Sequence, residues 1–191
     1  KESRMLSASI GKTFVAATTL ALSCEGVLDL DAPVSFWLGE RKWFHRLPNH
    51  NEITLRHLLT HSSGLPDHVH LDSFANAVSH KWSGKYNPFS PEDLIEFVLD
   101  LPPLFEADKG WRYTDTGYIL IGLVIQEATG RSIWDEITDR FLAPLSLRLT
   151  TPSDLPILPG LAAGYLKTDN RFGFPQKTTN ENGVMAWHPG F

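Results

Sequence analysis

The chain has 191 residues and a formal net charge of −5, with 42% hydrophobic and 20% charged residues. This length and composition are typical of a globular protein that can bury a sizeable core. The acidic balance and the absence of any Lys/Arg run argue against nucleic acid or an anionic membrane surface as a partner. No apolar run approaches the length needed to span a membrane, and the single cysteine, Cys24, excludes an internal disulfide.

The first predicted element is a helix that starts near residue 10 and ends before Gly26, a residue typical of helix ends. Its apolar residues follow helical spacing, which predicts a buried face. That face consists of Ile10, Phe14, Ala17, Ala21 and Cys24.

Short elements and loops follow this helix. Residues 34–38 are predicted to form a short apolar helix or turn, and residues 39–52 a polar loop. A short helix over 54–60 has Thr54 as its N-cap and ends at the breaker signature Ser62-Ser63-Gly64-Leu65-Pro66. Residues 67–90 have no sustained period and are predicted to be irregular.

The second half of the chain begins with a helix start, in which Ser90 is the N-cap and Pro91 the first helical residue. Residues 117–128 are almost wholly apolar and predict a core helix. Ser132 starts a further helix that runs to Pro144, and residues 145–182 are predicted to be loop-like.

The pattern Ser-x-x-Lys lies at the start of the first predicted helix, at Ser9 and Lys12. Residues three apart share one helix face, so the Lys12 amine can reach back to the Ser9 hydroxyl. A serine needs an adjacent base to become a nucleophile, and a desolvated lysine can serve. The Ser9 backbone N–H is also one of the donors that a helix start leaves unpaired. The alternative is structural, with Ser7 or Ser9 capping the helix and Lys12 exposed to solvent.

Histidine spacing raises a second possibility, a metal site. His57 and His61 are four residues apart, and His68 and His70 alternate. No Glu follows His57 as in helical zinc hydrolases, and no cysteine can join the set. Loop and capping roles are therefore favoured over metal binding.

Four stretches together resemble the serine β-lactamase and penicillin-binding protein superfamily, in the branch with class C β-lactamases, D-alanyl-D-alanine carboxypeptidases and esterases. They are Ser9-Ile10-Gly11-Lys12, residues 53–66, the run from Tyr113 to Tyr118 before an apolar helix, and His188-Pro189-Gly190. The resemblance implies an α/β (α+β) fold, in which a helical lobe packs on an antiparallel sheet. It implies no metal or organic cofactor.

Site roles follow from the same resemblance. Ser9 would attack an acyl carbonyl and become an ester that water later hydrolyses, Lys12 would accept the serine proton or tune the base, and Tyr113 would relay protons. The oxyanion would lie between the backbone N–H groups of Ser9 and Phe191. The residues expected on the substrate and oxyanion side are Asp115, His188, Gly190 and Phe191. A buried Tyr113 with a satisfied hydroxyl is the structural alternative.

Two departures from the family pattern bear on the substrate. Asp115 replaces an asparagine, and a carboxylate can only accept hydrogen bonds; an ionised Asp115 would favour the ammonium form of Lys12. His188 and Pro189 replace a lysine and a hydroxyl residue that would grip a substrate carboxylate. Together they predict that simple esters or amides are preferred over penicillins and D-alanyl peptides.

The spacing of the motifs is short for the family, because only eight residues precede Ser9 and one follows Gly190. We expect a single β-lactamase-related domain over 1–191, with a helical lobe over about 27–165 and an incomplete sheet. The chain is interpreted as a fragment or as lacking a segment, at a junction guessed between Gln176 and Gly183.

A small molecule or a peptide is the expected partner. A non-catalytic ligand-binding or scaffold domain is the competing function. A periplasmic or secreted location would fit the family, although no signal peptide is visible.

Overall fold

The computed structural model describes residues 4–83, 89–152, 159–165, 167–170 and 177–178. Within them the chain is mainly helical. The α-helices are α1 (Gly11–Cys24), α2 (Ser35–Leu38), α3 (Leu55–Leu59), α4 (Asp72–Ser83), α5 (Pro91–Glu96), α6 (Asp115–Thr129) and α7 (Ile133–Ile137). Short 3-10 helices cover Ala8–Ile10, Phe44–Arg46 and His68–His70, and a π-helical turn, Thr138–Leu142, continues α7.

Helix α6 is the centre of the core, as its apolar sequence predicts. Every residue from 115 to 125 is buried. It contacts α1, α2, α3, α5 and α7, so these five helices are arranged around it. The helix ends at Gly130, whose φ of +69° lies in the left-handed region that ends many helices.

Three predicted helix starts are confirmed with their caps. Thr54 accepts a hydrogen bond from the backbone N–H of His57, whose ring accepts one from the Thr54 backbone. Ser90 makes the same reciprocal pair with Asp93, and Pro91 occupies the first turn. Ser132 caps α7. These side chains satisfy backbone donors that a helix start leaves without partners.

The predicted buried face of α1 is confirmed only in part, because Phe14 is half-buried against the core but both ends of the face are exposed. Ile10 is 67% exposed and Cys24 is exposed as well. The buried residues are Lys12, Val15, Thr18, Thr19 and Leu22. A threonine can face a core because its methyl group packs while its hydroxyl bonds within the helix; that of Thr19 donates to the Val15 carbonyl at 2.8 Å. The predicted face left out Thr18 and Thr19 and also the apolar residues Val15 and Leu22.

Residues 67–90 are not irregular throughout, contrary to the prediction. They contain the 3-10 helix His68–His70 and the helix α4. Phe74 and Val78, four residues apart, are buried there. Two large apolar residues are too few to show a helical period in the sequence. The helix is stabilised by the packing of these residues in the core.

The described part of the sheet is small. Strands β1 (Gly164–Tyr165) and β2 (Lys177–Thr178) pair antiparallel, with Gly164 opposite Thr178. Near the start of the chain, Arg4 exchanges backbone hydrogen bonds with residues 160 and 162. The predicted junction between residues 176 and 183 lies largely outside the described residues. In the part of the chain that the structure describes, no helix combines the length and apolarity needed to cross a membrane.

Candidate active site

Ser9 lies in the 3-10 helix that leads directly into α1. The residue before it, Ala8, has a φ of 48°, an unusual left-handed conformation for a non-glycine residue. The turn leaves Ser9 exposed to solvent, whereas Lys12 is only 6% exposed. Lys12 Nζ donates to Ser9 Oγ at 3.4 Å, so the predicted approach of the amine to the hydroxyl is confirmed.

The structural alternative for this helix start is wrong. The Ser7 side chain makes no capping hydrogen bond, and the N-cap of α1 is Ile10. Lys12 is buried rather than solvated. An ammonium group leaves water only where other groups compensate its charge, so the burial of Lys12 requires a partner.

That partner is Asp115, the first residue of α6. Its Oδ1 atom accepts a short hydrogen bond from Lys12 Nζ, and both side chains are more than nine-tenths buried. Lys12 Nζ also lies 5.1 Å from the centre of the Tyr113 ring and 5.5 Å from that of Tyr118. A carboxylate and two aromatic faces therefore surround the ammonium group.

Tyr113 reaches the same point from the segment before α6. Its phenol oxygen lies 2.7 Å from Ser9 Oγ and 3.3 Å from Asp115 Oδ1. Thr114 is the N-cap of α6 with extended backbone, and its hydroxyl donates to the Pro66 carbonyl. The segment that holds Tyr113 is therefore fixed against the loop over residues 61–68.

The structure brings together four predicted site residues, Ser9, Lys12, Tyr113 and Asp115. Asp115 contacts Lys12 and Tyr113 and is only 6% exposed. Its contact with a substrate stays a prediction. The remaining predicted site residues, His188, Gly190 and Phe191, lie outside the described residues.

Sequence reasoning missed two residues of this site. The sequence predicts a loop or capping role for His61 and a position in the core helix for Tyr118. The His61 ring lies 4.5 Å from the Tyr113 ring and 5.3 Å from the Tyr118 ring, centre to centre, and the Tyr118 hydroxyl donates to the Leu59 carbonyl. The sequence offers one signal for His61, which is its position between a capped helix and the Gly64-Leu65-Pro66 breaker.

Burial lowers the pKa of His61, and the nearby Lys12 charge lowers it further, while Asp115 opposes them. Burial and the neighbouring Tyr113 raise the pKa of Tyr118. At neutral pH His61 and Tyr118 are therefore uncharged.

The histidines have other partners in this structure. His57 caps α3, as predicted, and His70 lies 3.7 Å from an Asp67 carboxylate oxygen. Within the described residues, no three His, Cys, Asp or Glu side chains are placed to hold a metal ion.

Comparisons with known proteins show which family the chain resembles. The Beta-lactamase family model matches residues 1–186. The chain is 32% identical to penicillin-binding protein 4* of Bacillus subtilis over 145 residues, which are 75% of this chain and 29% of that protein. It is 31% identical to esterase EstB of Burkholderia gladioli, covering 74% of this chain and 36% of the esterase.

Solved structures give the same result for the fold. A D-stereospecific amidohydrolase from Streptomyces sp. superposes with a TM-score of 0.82 at 29% identity, covering 96% of this chain and 54% of that structure. The D-amino acid amidase of Ochrobactrum anthropi, complexed with L-phenylalanine amide, superposes with a TM-score of 0.71 at 25% identity. The match covers 98% of this chain and 49% of that structure. The fold is therefore β-lactamase-like, as predicted.

The chain spans only about a third of the length of the curated relatives it matches. Their names include a penicillin-binding protein and an esterase, and the solved neighbours include amidases. The described helices and the motif residues from 9 to 118 lie within the matched region. The chain belongs to the beta-lactamase family of hydrolases.

Proposed function

We propose that this chain provides the nucleophile and proton-transfer groups of a serine hydrolase that acts on esters or amides. The observation that carries the proposal is the convergence on Ser9 Oγ of Tyr113 Oη at 2.7 Å and Lys12 Nζ at 3.4 Å. Ser9 is exposed, while Lys12 beneath it is buried. A substrate carbonyl can therefore reach the hydroxyl from the solvent side.

The hydrogen bonds suggest a direction for the serine proton. The phenol of Tyr113 has one hydrogen for two acceptors, Ser9 Oγ at 2.7 Å and Asp115 Oδ1 at 3.3 Å. When it donates to the Asp115 carboxylate, its oxygen lone pair can accept the hydrogen of Ser9. The ammonium form of Lys12 has no lone pair, so it can only donate hydrogen bonds, and it donates one to Ser9 Oγ. Tyr113 is thus the better placed acceptor of the serine proton, and Lys12 acts as a fixed positive charge.

The reaction proceeds in two halves. Ser9 Oγ bonds to the acyl carbon and gives its proton to the Tyr113 oxygen, while the phenol hydrogen passes to Asp115. Asp115 then returns its proton to the phenol oxygen, and the phenol protonates the leaving alcohol or amine as the acyl–heteroatom bond breaks. Water then attacks the Ser9 ester, gives its proton to the same phenol, and the acid departs as Ser9 regains a proton. The Ser9 backbone N–H and that of Phe191 are the proposed oxyanion donors.

Simple esters are the proposed substrates, with a small peptide or amide as the other possibility. Asp115 has no hydrogen to donate to a substrate carbonyl and is already bonded to Lys12. A histidine and a proline stand where a lysine and a hydroxyl would grip a substrate carboxylate. The relatives include an esterase, an amidohydrolase and a D-amino acid amidase beside a penicillin-binding protein, so the preference rests on the two sequence departures.

The test is the intact mass of the purified protein before and after incubation with a fluorophosphonate or an activated nitrophenyl ester. We expect one adduct, mapped by peptide sequencing to Ser9, and a burst of nitrophenol. Ser9→Ala should abolish both. Ser7→Ala removes an exposed serine two residues away and should leave both unchanged. Absence of any adduct would favour the non-catalytic ligand-binding or scaffold domain.

Substrate preference needs a separate measurement, kcat/KM for a nitrophenyl ester, a D-amino acid amide and benzylpenicillin. The proposal expects the ester to be the best of the three. Equal values for benzylpenicillin and the ester would remove the preference while leaving the nucleophile in place.

A further inference from the structure

His61 makes three contacts with the segment that carries Tyr113. Its backbone carbonyl accepts from the Arg112 N–H at 2.9 Å, and its ring Nδ1 accepts from the Thr114 N–H at 3.3 Å. Its ring stacks on the Tyr113 ring at 4.5 Å with an angle of 34° between the planes. One residue therefore holds both peptide neighbours of Tyr113 and the tyrosine ring itself.

We propose that His61 is a positioning residue, whose neutral imidazole holds the Tyr113 phenol at Ser9, so that protonation of His61 disables the site. The inference rests on the proposed function, since it assigns Tyr113 the proton transfer. His61 itself makes no contact with Ser9 among the hydrogen bonds and ring contacts of the described residues.

The two backbone hydrogen bonds act on the Tyr113 main chain. With residues 112 and 114 both bonded to His61, the direction in which the Tyr113 side chain leaves the backbone is fixed. The stacked imidazole then restricts rotation of the ring. A shift of about 1 Å in a group that transfers a proton is enough to cost about 100-fold in rate, so this restraint matters for the 2.7 Å contact with Ser9.

The His61 backbone is itself in an uncommon state that the surrounding loop maintains. Its φ is 59°, in the left-handed region, where histidine is found more often than most residues. The loop after it is bonded to the segment before Tyr113, through Ser62 to Asp108 and through Gly64 to Leu104. Such outliers persist where the surroundings over-determine them, and they cluster at functional sites.

The protonation state of the ring follows from the Thr114 contact. A backbone N–H can only donate, so Nδ1 carries no hydrogen and the ring proton is on Nε2. A second proton would have to go to Nδ1, and it would break this hydrogen bond. The contact therefore exists only while His61 is neutral.

The groups around the ring favour that neutral form. Lys12 from α1 and Asp115 from α6 are the charged groups that face it, and the rings of Tyr113, Tyr118 and Trp111 surround it. Burial and the Lys12 charge outweigh Asp115 and lower the pKa of His61 below its ordinary value of 6.5. We expect activity to fall as the pH drops below 6.5 and His61 becomes protonated, because the protonated ring no longer holds Tyr113 in position.

Two substitutions of His61 separate the effect of its Nδ1 acceptor from the effect of its aromatic ring. Asparagine places its Oδ1 where the histidine has Nδ1, tolerates the left-handed backbone and does not titrate. Phenylalanine keeps an aromatic ring but has no acceptor. We expect His61→Phe to lower kcat about 100-fold with little change in KM, and His61→Asn to stay within about 10-fold of the wild type without the acid loss that His61 causes.

The control is His57→Phe, which removes a ring acceptor four residues earlier that caps α3 outside the site. It should lower the thermal midpoint but leave kcat and the pH profile unchanged. Wild-type kcat in His61→Phe, or a wild-type acid limb in His61→Asn, would overturn the positioning role. Ser9 labelling of the wild type is measured first, and failure at that step counts against the proposed function instead.

Discussion

Lys12 and Asp115 form an ion pair under the Ser9 hydroxyl, although 103 residues separate them in sequence. Neither side chain has more than a tenth of its surface exposed. Ion pairs withdrawn from water compensate each other's desolvation, and removal of one partner leaves a buried charge without compensation. The pair therefore ties the start of α1 to the start of α6 and fixes the positive charge beside the serine.

The first prediction concerns this pair. Asp115→Asn and Lys12→Met should each lower the free energy of unfolding by about 3 kcal/mol, because each leaves one buried charge uncompensated. The double variant should lose less than the sum of the two. Urea denaturation measures all three. Arg46 and Asp100 form an ion pair that is about half exposed, and the matching cycle there should show weak coupling. Additive losses at Lys12 and Asp115 would contradict the prediction.

The second prediction separates two tyrosines whose rings both face Lys12. Tyr113→Phe removes the hydroxyl that contacts Ser9 and should lower kcat at least about 100-fold, the usual loss for a proton-transfer group. The ring and its stacking remain, so the thermal midpoint should change little. Tyr118→Phe removes a hydroxyl that donates to the Leu59 carbonyl instead. It should cost about 1 kcal/mol of stability and much less activity. Equal kinetic losses in the two variants would count against a specific role for Tyr113.

The third prediction compares two glycines with the same backbone conformation. Gly64 has a φ of +73°, and a Cβ there would lie 2.0 Å from the Phe105 carbonyl oxygen. Gly130 has a φ of +69° with open space around it. Gly130→Ala should cost about 1 kcal/mol from backbone strain alone. Gly64→Ala should cost about 3 kcal/mol or more, because the backbones of two segments must also separate.

Thermal denaturation of the two glycine variants gives the comparison directly. The loop that starts at Gly64 precedes His68 and follows His61, so a shift there should also lower the rate of Ser9 labelling. A Gly64→Ala protein as stable as Gly130→Ala would show that the close approach is not maintained in solution.

The fourth prediction is a pH dependence of stability. Burial lowers the pKa of His68 to about 4, and His68 contacts the Thr116 hydroxyl in α6. The unfolded histidine binds a proton below about pH 6.5, whereas the folded one does so only near pH 4. His68 therefore contributes stability above pH 6.5, and about 3 kcal/mol of it is lost as the pH falls from 6.5 to 4.

Denaturation curves between pH 4 and 8 test this dependence. His68→Asn keeps an acceptor near Thr116 but does not titrate, so its stability should vary less between pH 6.5 and 4. Burial raises the pKa of the adjacent Asp67, so its effect on stability has the opposite sign. The contribution of Asp67 to the free energy of unfolding declines as the pH rises above 3.8, whereas that of His68 increases with pH. An unchanged slope in His68→Asn would show that other groups cause the acid loss.

The sequence by itself determined the features that depend on near neighbours. The caps at Thr54, Ser90 and Ser132 and the spacing of Ser9 and Lys12 are interactions over three residues, and each appears in the structure as predicted. The apolar run of α6 predicted the core helix because a helix that is hydrophobic on all sides can only be buried. The motif set also sufficed to identify the family.

Only the tertiary structure decided which groups meet across the chain. The buried face of α1, the existence of α4, the pairing of Lys12 with Asp115 and the place of His61 beside Tyr113 all depend on contacts between distant segments. Local periodicity carries no information about such contacts, because Lys12 becomes a core residue only when Asp115, 103 residues away in sequence, compensates its charge. The contact between Ser9 and Lys12 is therefore predictable from the local sequence, whereas the contacts with Tyr113, Asp115 and His61 depend on the tertiary structure.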